Sequence, residues 1–243
     1  MRFKQSFKPF LKRLSFYLIV IGVCCIPFAT WLFISHFFAI RNIEIIKKNK
    51  DFNLNGVTTL SRQNLLILDE KKIADILYEA NPTISRITVT KKYPATLIVT
   101  IDTFEPFAVL GQTDSFFVLS QDGRVLSKSR QNSLNLPVLT YYQKYPFESV
   151  PVGSHLDSHD ILTSLYFINL AQTSGYPIIS IDIRSENVIA LHGESTNFLF
   201  SAVKEKALQE YQFMTIAKQF KIEGKKISTI DVRFDKPVVE VAQ

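Results

Sequence analysis

The 243 residues carry 28 Lys and Arg against 22 Asp and Glu, and 47% are hydrophobic, with 20 Phe and only 8 Gly. A disordered, collagenous or low-complexity chain is excluded, leaving a folded protein with some membrane character. The formal charge of +6 is no nucleic-acid signature, because Arg2, Lys4, Lys8, Lys12 and Arg13 supply five of the cations and leave 23 basic against 22 acidic residues; a chain that tracks phosphates needs a basic face.

Residues 1–13 read as a short cytoplasmic tail. From Leu14 to Ile40 no residue bears a formal charge, which is long enough to span a bilayer core, so residues 14–39 are predicted as one transmembrane helix. The basic leader, against the mixed signs of Arg41, Glu44, Lys47 and Lys48, keeps the N-terminus in the cytoplasm and exports the rest. A cleaved signal peptide is the competing reading, but its apolar region is usually shorter. Both cysteines, Cys24 and Cys25, fall in the span, so the exported part is expected to form no internal disulfide. Pro27 is expected to kink the helix, and Trp31 to face lipid or the interface.

Residues 40–105 are predicted as a compact α+β domain. A strand at residues 40–46 places Ile43 and Ile45 on one face, and a polar loop runs to Gly56. Asp69 caps a helix that carries Ile73, Ile76, Leu77 and Ala80 and ends at Asn81-Pro82. Two alternating strands follow, through Ile87/Val89 and through Leu97/Val99/Ile101, broken at Tyr93-Pro94.

Residues 106–243 are predicted as a β-rich domain with two covering helices. Asp122-Gly123 supplies the positive φ angles of a hairpin between Phe116–Ser120 and Arg124–Ser127. Ile161, Leu165 and Ile168 have helical spacing behind Asp157 or Ser158 as cap. Strands are expected at Ile179/Ile181/Ile183, Val188–Leu191 and Phe198–Phe200. A helix from about Ser201 to Gly224 presents Val203, Ala207, Leu208, Tyr211 and Met214 as its apolar face. Ile230/Val232/Phe234 and Val238–Val241 close the chain as two strands.

Signals for chemistry are sparse. Ser201-Ala202-Val203-Lys204 is a Ser-x-x-Lys in which Lys204 would activate Ser201, but a capping serine beside a solvated lysine accounts for the same letters. His155, Asp157, His159 and Asp160 are metal-ligand types with no further ligand later in the chain, and exposed histidines at a helix cap are the preferred reading. His36 and His192 have no identifiable partner. No catalytic residue, metal site or cofactor is expected.

The order of several short motifs resembles the FtsQ/DivIB cell-division family. They are Phe38 and Ile43-Glu44-Ile45 after the membrane, Asn64-Leu65-Leu66-Ile67-Leu68-Asp69, Asn81-Pro82-Thr83-Ile84, Lys92-Tyr93-Pro94-Ala95-Thr96-Leu97-Ile98-Val99 and Glu105-Pro106-Phe107-Ala108-Val109-Leu110. Asp122-Gly123-Arg124-Val125, Leu136-Pro137-Val138-Leu139 and Ile230-Asp231-Val232-Arg233-Phe234 continue the series. The resemblance implies a POTRA domain followed by a β-rich domain. A glycine usual after the first strand is missing from Ile46-Lys47-Lys48-Asn49, and Asp51–Leu60 is polar, which implies a shortened or distorted POTRA unit.

The resemblance also implies a non-enzymatic scaffold in the bacterial plasma (inner) membrane at the division septum. Its expected partners are FtsB/DivIC-like and FtsL-like single-pass coiled-coil proteins, and its role is assembly of the septal peptidoglycan machinery. Matching the motif places Arg233 and Phe234 by the partner-binding region, with Val238, Val239, Glu240 and Val241 as the edge strand. Such an edge offers unpaired N–H and C=O groups to an incoming strand. Phe234 as ordinary core and Arg233 as a solvated charge is the alternative for those two residues. A membrane-anchored serine hydrolase or transpeptidase and a POTRA protein of polypeptide transport are the competing functions.

Overall fold

The computed structural model describes residue 23 and residues 26–47, 53–61 and 63–242. The tail, Cys24, Cys25 and much of the expected span lie outside the described residues. Residues 26–37 form helix α1, on which Phe28, Trp31 and Phe33 are exposed. Among the described residues no helix is long and apolar enough to cross a membrane. The class is α+β, and the contacts divide the residues into two units, one on residues up to Asn81 with Arg86–Asp102, the other on Pro82–Ser85 with Thr103 onward.

The first unit has the predicted order of strand, helix and two strands. Strands β1 (Asn42–Lys47), β2 (Ile84–Lys92) and β3 (Thr96–Thr103) form a sheet in the order β1-β3-β2. β1 runs parallel to β3, with Ile43 opposite Leu97 and Ile45 opposite Val99. Helix α2 (Glu70–Ala80) starts at Asp69, whose Oδ1 accepts the N–H groups of Lys71 and Lys72 at 3.0 and 3.3 Å and so satisfies two donors that the first turn leaves free. Ile73 and Leu77 are buried, whereas Ile76, expected on the same face, is exposed. The polar stretch before α2 supplies only a 3-10 turn, Val57–Leu60. Buried Asn81 secures that stretch: its Nδ2 donates to Leu77 O and Asn55 O at 2.7 and 3.0 Å, and its Oδ1 accepts Asn55 N–H at 2.9 Å.

The second unit is a nine-stranded mixed sheet. In chain order its strands are β4 (Ala108–Gln112), β5 (Ser115–Leu119), β6 (Val125–Ser129), β7 (Val138–Tyr141), β8 (Ile178–Ser185), β9 (Val188–Gly193), β10 (Asn197–Phe200), β11 (Ile227–Asp231) and β12 (Val238–Val241). Their spatial order is β12-β11-β10-β9-β8-β7-β4-β5-β6. The Asp122-Gly123 turn joins β5 and β6 as an antiparallel pair, with Gly123 at φ +86°. Helix α3 (His159–Thr173) links β7 to its parallel neighbour β8, and α4 (Lys206–Glu223) links β10 to its parallel neighbour β11. Parallel neighbours need such crossovers.

One apolar row crosses eight strands in register: Phe117, Leu110, Leu139, Ile181, Leu191, Phe198, Ile230 and Val239. Both helices cover the same sheet face, because Phe167 of α3 stacks on Phe200 at 4.0 Å between centroids and Phe213 of α4 meets Phe200 at 5.8 Å and Phe198 at 5.3 Å. Over the β8–β12 half of the sheet the neighbouring row, Ser180, His192, Asn197, Thr229 and Glu240, points the other way and is polar.

Three details depart from the sequence reading. Ile179 is exposed and Ile178 buried, because an irregularity between Ile178 and Ser180 shifts the pairing of β8 with β9 and reverses the alternation there. Helix α4 begins at Lys206, not Ser201, and lies with the opposite face inward: Gln209, Phe213 and Ala217 are buried, while Tyr211 is 69% and Met214 45% exposed. That face puts Phe213 into the core against Phe198 and Phe200, and beside it the Gln209 amide bonds the backbone of Ser201 on both sides, N–H to Oε1 and Nε2 to O at 2.8 Å each, and donates to Lys204 O at 3.0 Å. Finally, β11 ends at Asp231, and residues 233–236 form a bend that removes Phe234 from any strand.

Candidate functional site at the sheet edge

β12 is the terminal strand of the large sheet, held on one side by β11 through the pairs Asp231/Val238, Ile230/Val239 and Thr229/Glu240. Ala242 N–H donates to Lys226 O at 3.0 Å, on the β11 side. Backbone groups in a strand alternate sides, so Glu240 and Val238 also turn their N–H and C=O towards β11, and Val239 and Val241 turn theirs away from the sheet. On β11, Val232 N–H donates to Leu199 O of β10, which gives the same parity. The outward row is flanked by exposed apolar side chains: Phe234 is 56%, Val238 54% and Val241 49% exposed. Val239 packs partly against the core.

A polar clamp shapes the bend between β11 and β12. Arg233 donates from Nε to Asp231 Oδ1 at 3.0 Å and from Nη2 to Oδ2 at 2.7 Å, and its backbone N–H reaches Oδ1 at 3.0 Å. Burial raises the Asp231 carboxyl, but the hydrogen bonds and charge of Arg233, helped by Lys204, outweigh it and hold the group below its usual range. The guanidinium also lies 5.3 Å from the Phe234 ring centre. Lys204 donates to Gln212 Oε1 at 2.9 Å, Val232 O at 3.0 Å and Phe234 O at 2.5 Å, while Gln212 Nε2 donates to Asp235 O at 2.9 Å.

Of the residues named from the sequence, Arg233, Phe234, Val238, Val239, Glu240 and Val241 therefore come together at one edge. Phe234 is surface, not core. Arg233 is an ion-paired bracket, not a solvated charge. The sequence did not assign Asp231, Lys204 and Gln212 to this bend, and only the i, i+2 spacing of Asp231 and Arg233 was there to signal the pair.

The other sequence candidates are dispersed into local contacts. The Lys204 ammonium is occupied by the bend, and Ser201 Oγ accepts Val203 N–H at 3.2 Å, so Ser201 does not cap a helix. His155 Nδ1 lies 2.7 Å from Asp157 Oδ1, and His159 Nε2 donates to Ala202 O at 2.9 Å. His192 does have partners, Asn197 Oδ1 at 2.9 Å and Asp182 Oδ2 at 3.3 Å. Among the described residues no three His, Cys, Asp or Glu side chains gather closely enough to hold a metal ion.

No family model matches the chain, and comparison with curated proteins finds no match either.

Proposed function

We propose that the protein is a non-enzymatic, membrane-anchored scaffold of the bacterial division machinery, of the FtsQ/DivIB type, whose β12 edge receives a strand from a small single-pass coiled-coil partner. The observation that carries the reading is the outward-facing backbone of Val239 and Val241 beside exposed Phe234, Val238 and Val241. Main-chain hydrogen bonds then supply affinity, and the apolar side chains along the edge supply selectivity. The strand, helix and paired strands of the first unit support a POTRA-like domain in which the 3-10 turn at Val57–Leu60 stands for the shortened first helix. Exposed Phe28, Trp31 and Phe33 on α1, within the charge-free run, support the anchor.

The test is affinity purification of the full chain from membranes of its native host, with the captured proteins identified by mass. The expected result is enrichment of small single-pass proteins of FtsB/DivIC-like and FtsL-like build, lost when Val241 is replaced by proline. Their absence from the wild-type capture would overturn the reading.

A further inference from the structure

Backbone bonds tie the residues that follow α1 to two turns of the first unit. Ile40 N–H donates to Gln63 O at 2.9 Å, Leu65 N–H donates to Phe38 O at 2.8 Å, and Ala39 pairs with Asn64 in the antiparallel sense. Arg41 and Asn42 both donate N–H to Ala95 O, at 2.9 and 3.2 Å, which holds the β2–β3 turn on the same joint. The antiparallel sense carries the chain after Asn64 back towards α1, and Asn64 Nδ2 donates to Ser35 O of that helix at 3.3 Å. Asn64 Oδ1 accepts Leu66 N–H at 2.9 Å and closes the turn.

These two turns present apolar surface. Leu65 and Leu68 are buried, and the two residues between them are left outside: Leu66 is 44% exposed, and Ile67, at 86%, is the most exposed large apolar side chain among the described residues. Tyr93, exposed in the second turn, meets Phe38 edge-on at 6.0 Å between centroids. Phe38 meets Phe37 at 5.1 Å, and Phe37 stacks on Phe33 of α1 at 5.8 Å. An unbroken aromatic path thus joins α1 to the β2–β3 turn.

The chain itself indicates what covers this end. The charge-free run stops at Ile40, and Arg41 is the first formal charge after it, so the hydrocarbon boundary of the anchor falls at the residues that hold both turns. Arg41 is exposed and donates from Nη2 to His36 O at 3.4 Å, which sets a cation at the level of lipid phosphates. A tyrosine beside it suits the same depth, ring in the apolar layer and O–H in water.

We propose that this end of the first unit is a membrane-interface contact, in which Leu66 and Ile67 enter the boundary between headgroups and acyl chains, about 5–10 Å deep, with Tyr93 beside them. The inference rests on the anchor in the scaffold reading and is independent of the β12 edge. The contact fixes the tilt of the first unit against the bilayer.

The test is tryptophan quenching in the full chain, reconstituted into phosphatidylcholine vesicles whose acyl chains are brominated either near the glycerol or near the methyl end. Trp31, the one tryptophan of the chain, reports the anchor in wild type. Ile67→Trp in a Trp31→Phe background reports the contact. Ile46→Trp in the same background is the control, because Ile46 is also exposed but lies near the far end of β1, about 20 Å from Ile40 along an extended strand. The expected result is loss of emission for Trp31 and for Ile67→Trp, the latter stronger with bromine near the glycerol, and none for Ile46→Trp. Adding Leu66→Asp, at an exposed side chain, should restore the Ile67→Trp emission. Quenching of Trp31 without quenching of Ile67→Trp would leave the anchor standing and overturn the contact, giving these turns to a protein partner or to water. Quenching of neither overturns both readings, and equal quenching of Ile46→Trp overturns the contact as unspecific adsorption. Quenching of Ile67→Trp alone supports the contact and removes the anchor. Circular dichroism of each variant confirms the fold.

Discussion

Proline in β12 separates the two sides of the edge. Val241 turns its N–H outward and its side chain is half exposed, so Val241→Pro deletes a donor offered to a partner while leaving the β11 ladder intact. Glu240 turns its N–H to β11, so Glu240→Pro breaks an internal rung opposite Thr229. In an added strand the lost donor leaves a carbonyl unpaired, which costs about 1–3 kcal/mol, or about 5- to 150-fold in affinity. Folding stability should barely change for Val241→Pro and should fall by about 1–2 kcal/mol for Glu240→Pro. Glu240→Ala, at an exposed side chain, should do neither. The assay is quantitative co-purification of membrane partners, paired with thermal melts followed by circular dichroism. If Val241→Pro retains its partners at the wild-type level while remaining folded, or if Glu240→Ala loses them equally, the edge is not the interface.

Three further outcomes follow from named contacts. Because the folded Asp231 carboxyl lies below its usual value of 3.8, its pairing with Arg233 stabilises the fold fully at neutral pH, and that contribution is lost as the pH falls through the depressed folded value. Asp231→Asn should cost about 1–3 kcal/mol at pH 7, and melts against pH should show the gap from wild type closing only below about pH 4. Gly123→Ala and Gly175→Ala both meet positive φ, +86° and +91°, and at Gly123 the added methyl, 2.6 Å from Leu162 Cδ2, displaces only the flexible tip of that side chain; denaturant titration should show about 1–2 kcal/mol for each. Lys204→Met keeps the stem and removes two donor contacts to the backbone at the bend and one to Gln212, so proteolysis should cut at residues 233–236 faster than in wild type, while an unchanged cutting rate would refute the clamp.

The elements that sequence reasoning recovers are those with local causes. Asp69 caps α2 through bonds to residues two and three positions on, Asp122-Gly123 turns within its own hairpin, and Leu97, Val99 and Ile101 alternate in a strand buried on one face. What escapes is set by tertiary partners. Nothing near Gln209 signals that its amide will bond Ser201 and Lys204, and only the core shows that Phe213, on the same stripe, packs on Phe198 and Phe200 while Tyr211 and Met214 stay in solvent. Strands β4 and β7 are only five and four residues long and have no flanking hairpin between them to announce their parallel pairing. At the candidate edge, Val238–Val241 is legible as a strand because Pro237 and alternation bound it, whereas Phe234 is misplaced because Ile230/Val232/Phe234 keeps the period of a strand beyond the residue where the bend takes over.

The anchoring of β12 is uneven along its length. At its Val238 end the ladder meets the bend that Lys204, Gln212 and the Asp231–Arg233 pair hold from three directions, and Val239 sits on the apolar row that crosses the sheet. At its Val241 end the pairing with Ile227 lies across an irregularity, and both flanking side chains of the strand are open to water. Mechanical load therefore meets two different joints. A tether drawn perpendicular to the strands at Val241 opens the ladder one rung at a time from its weak end. A pull along the strand axis loads every rung together and is carried through Pro237 into the clamped bend, so the edge resists sliding far better than peeling.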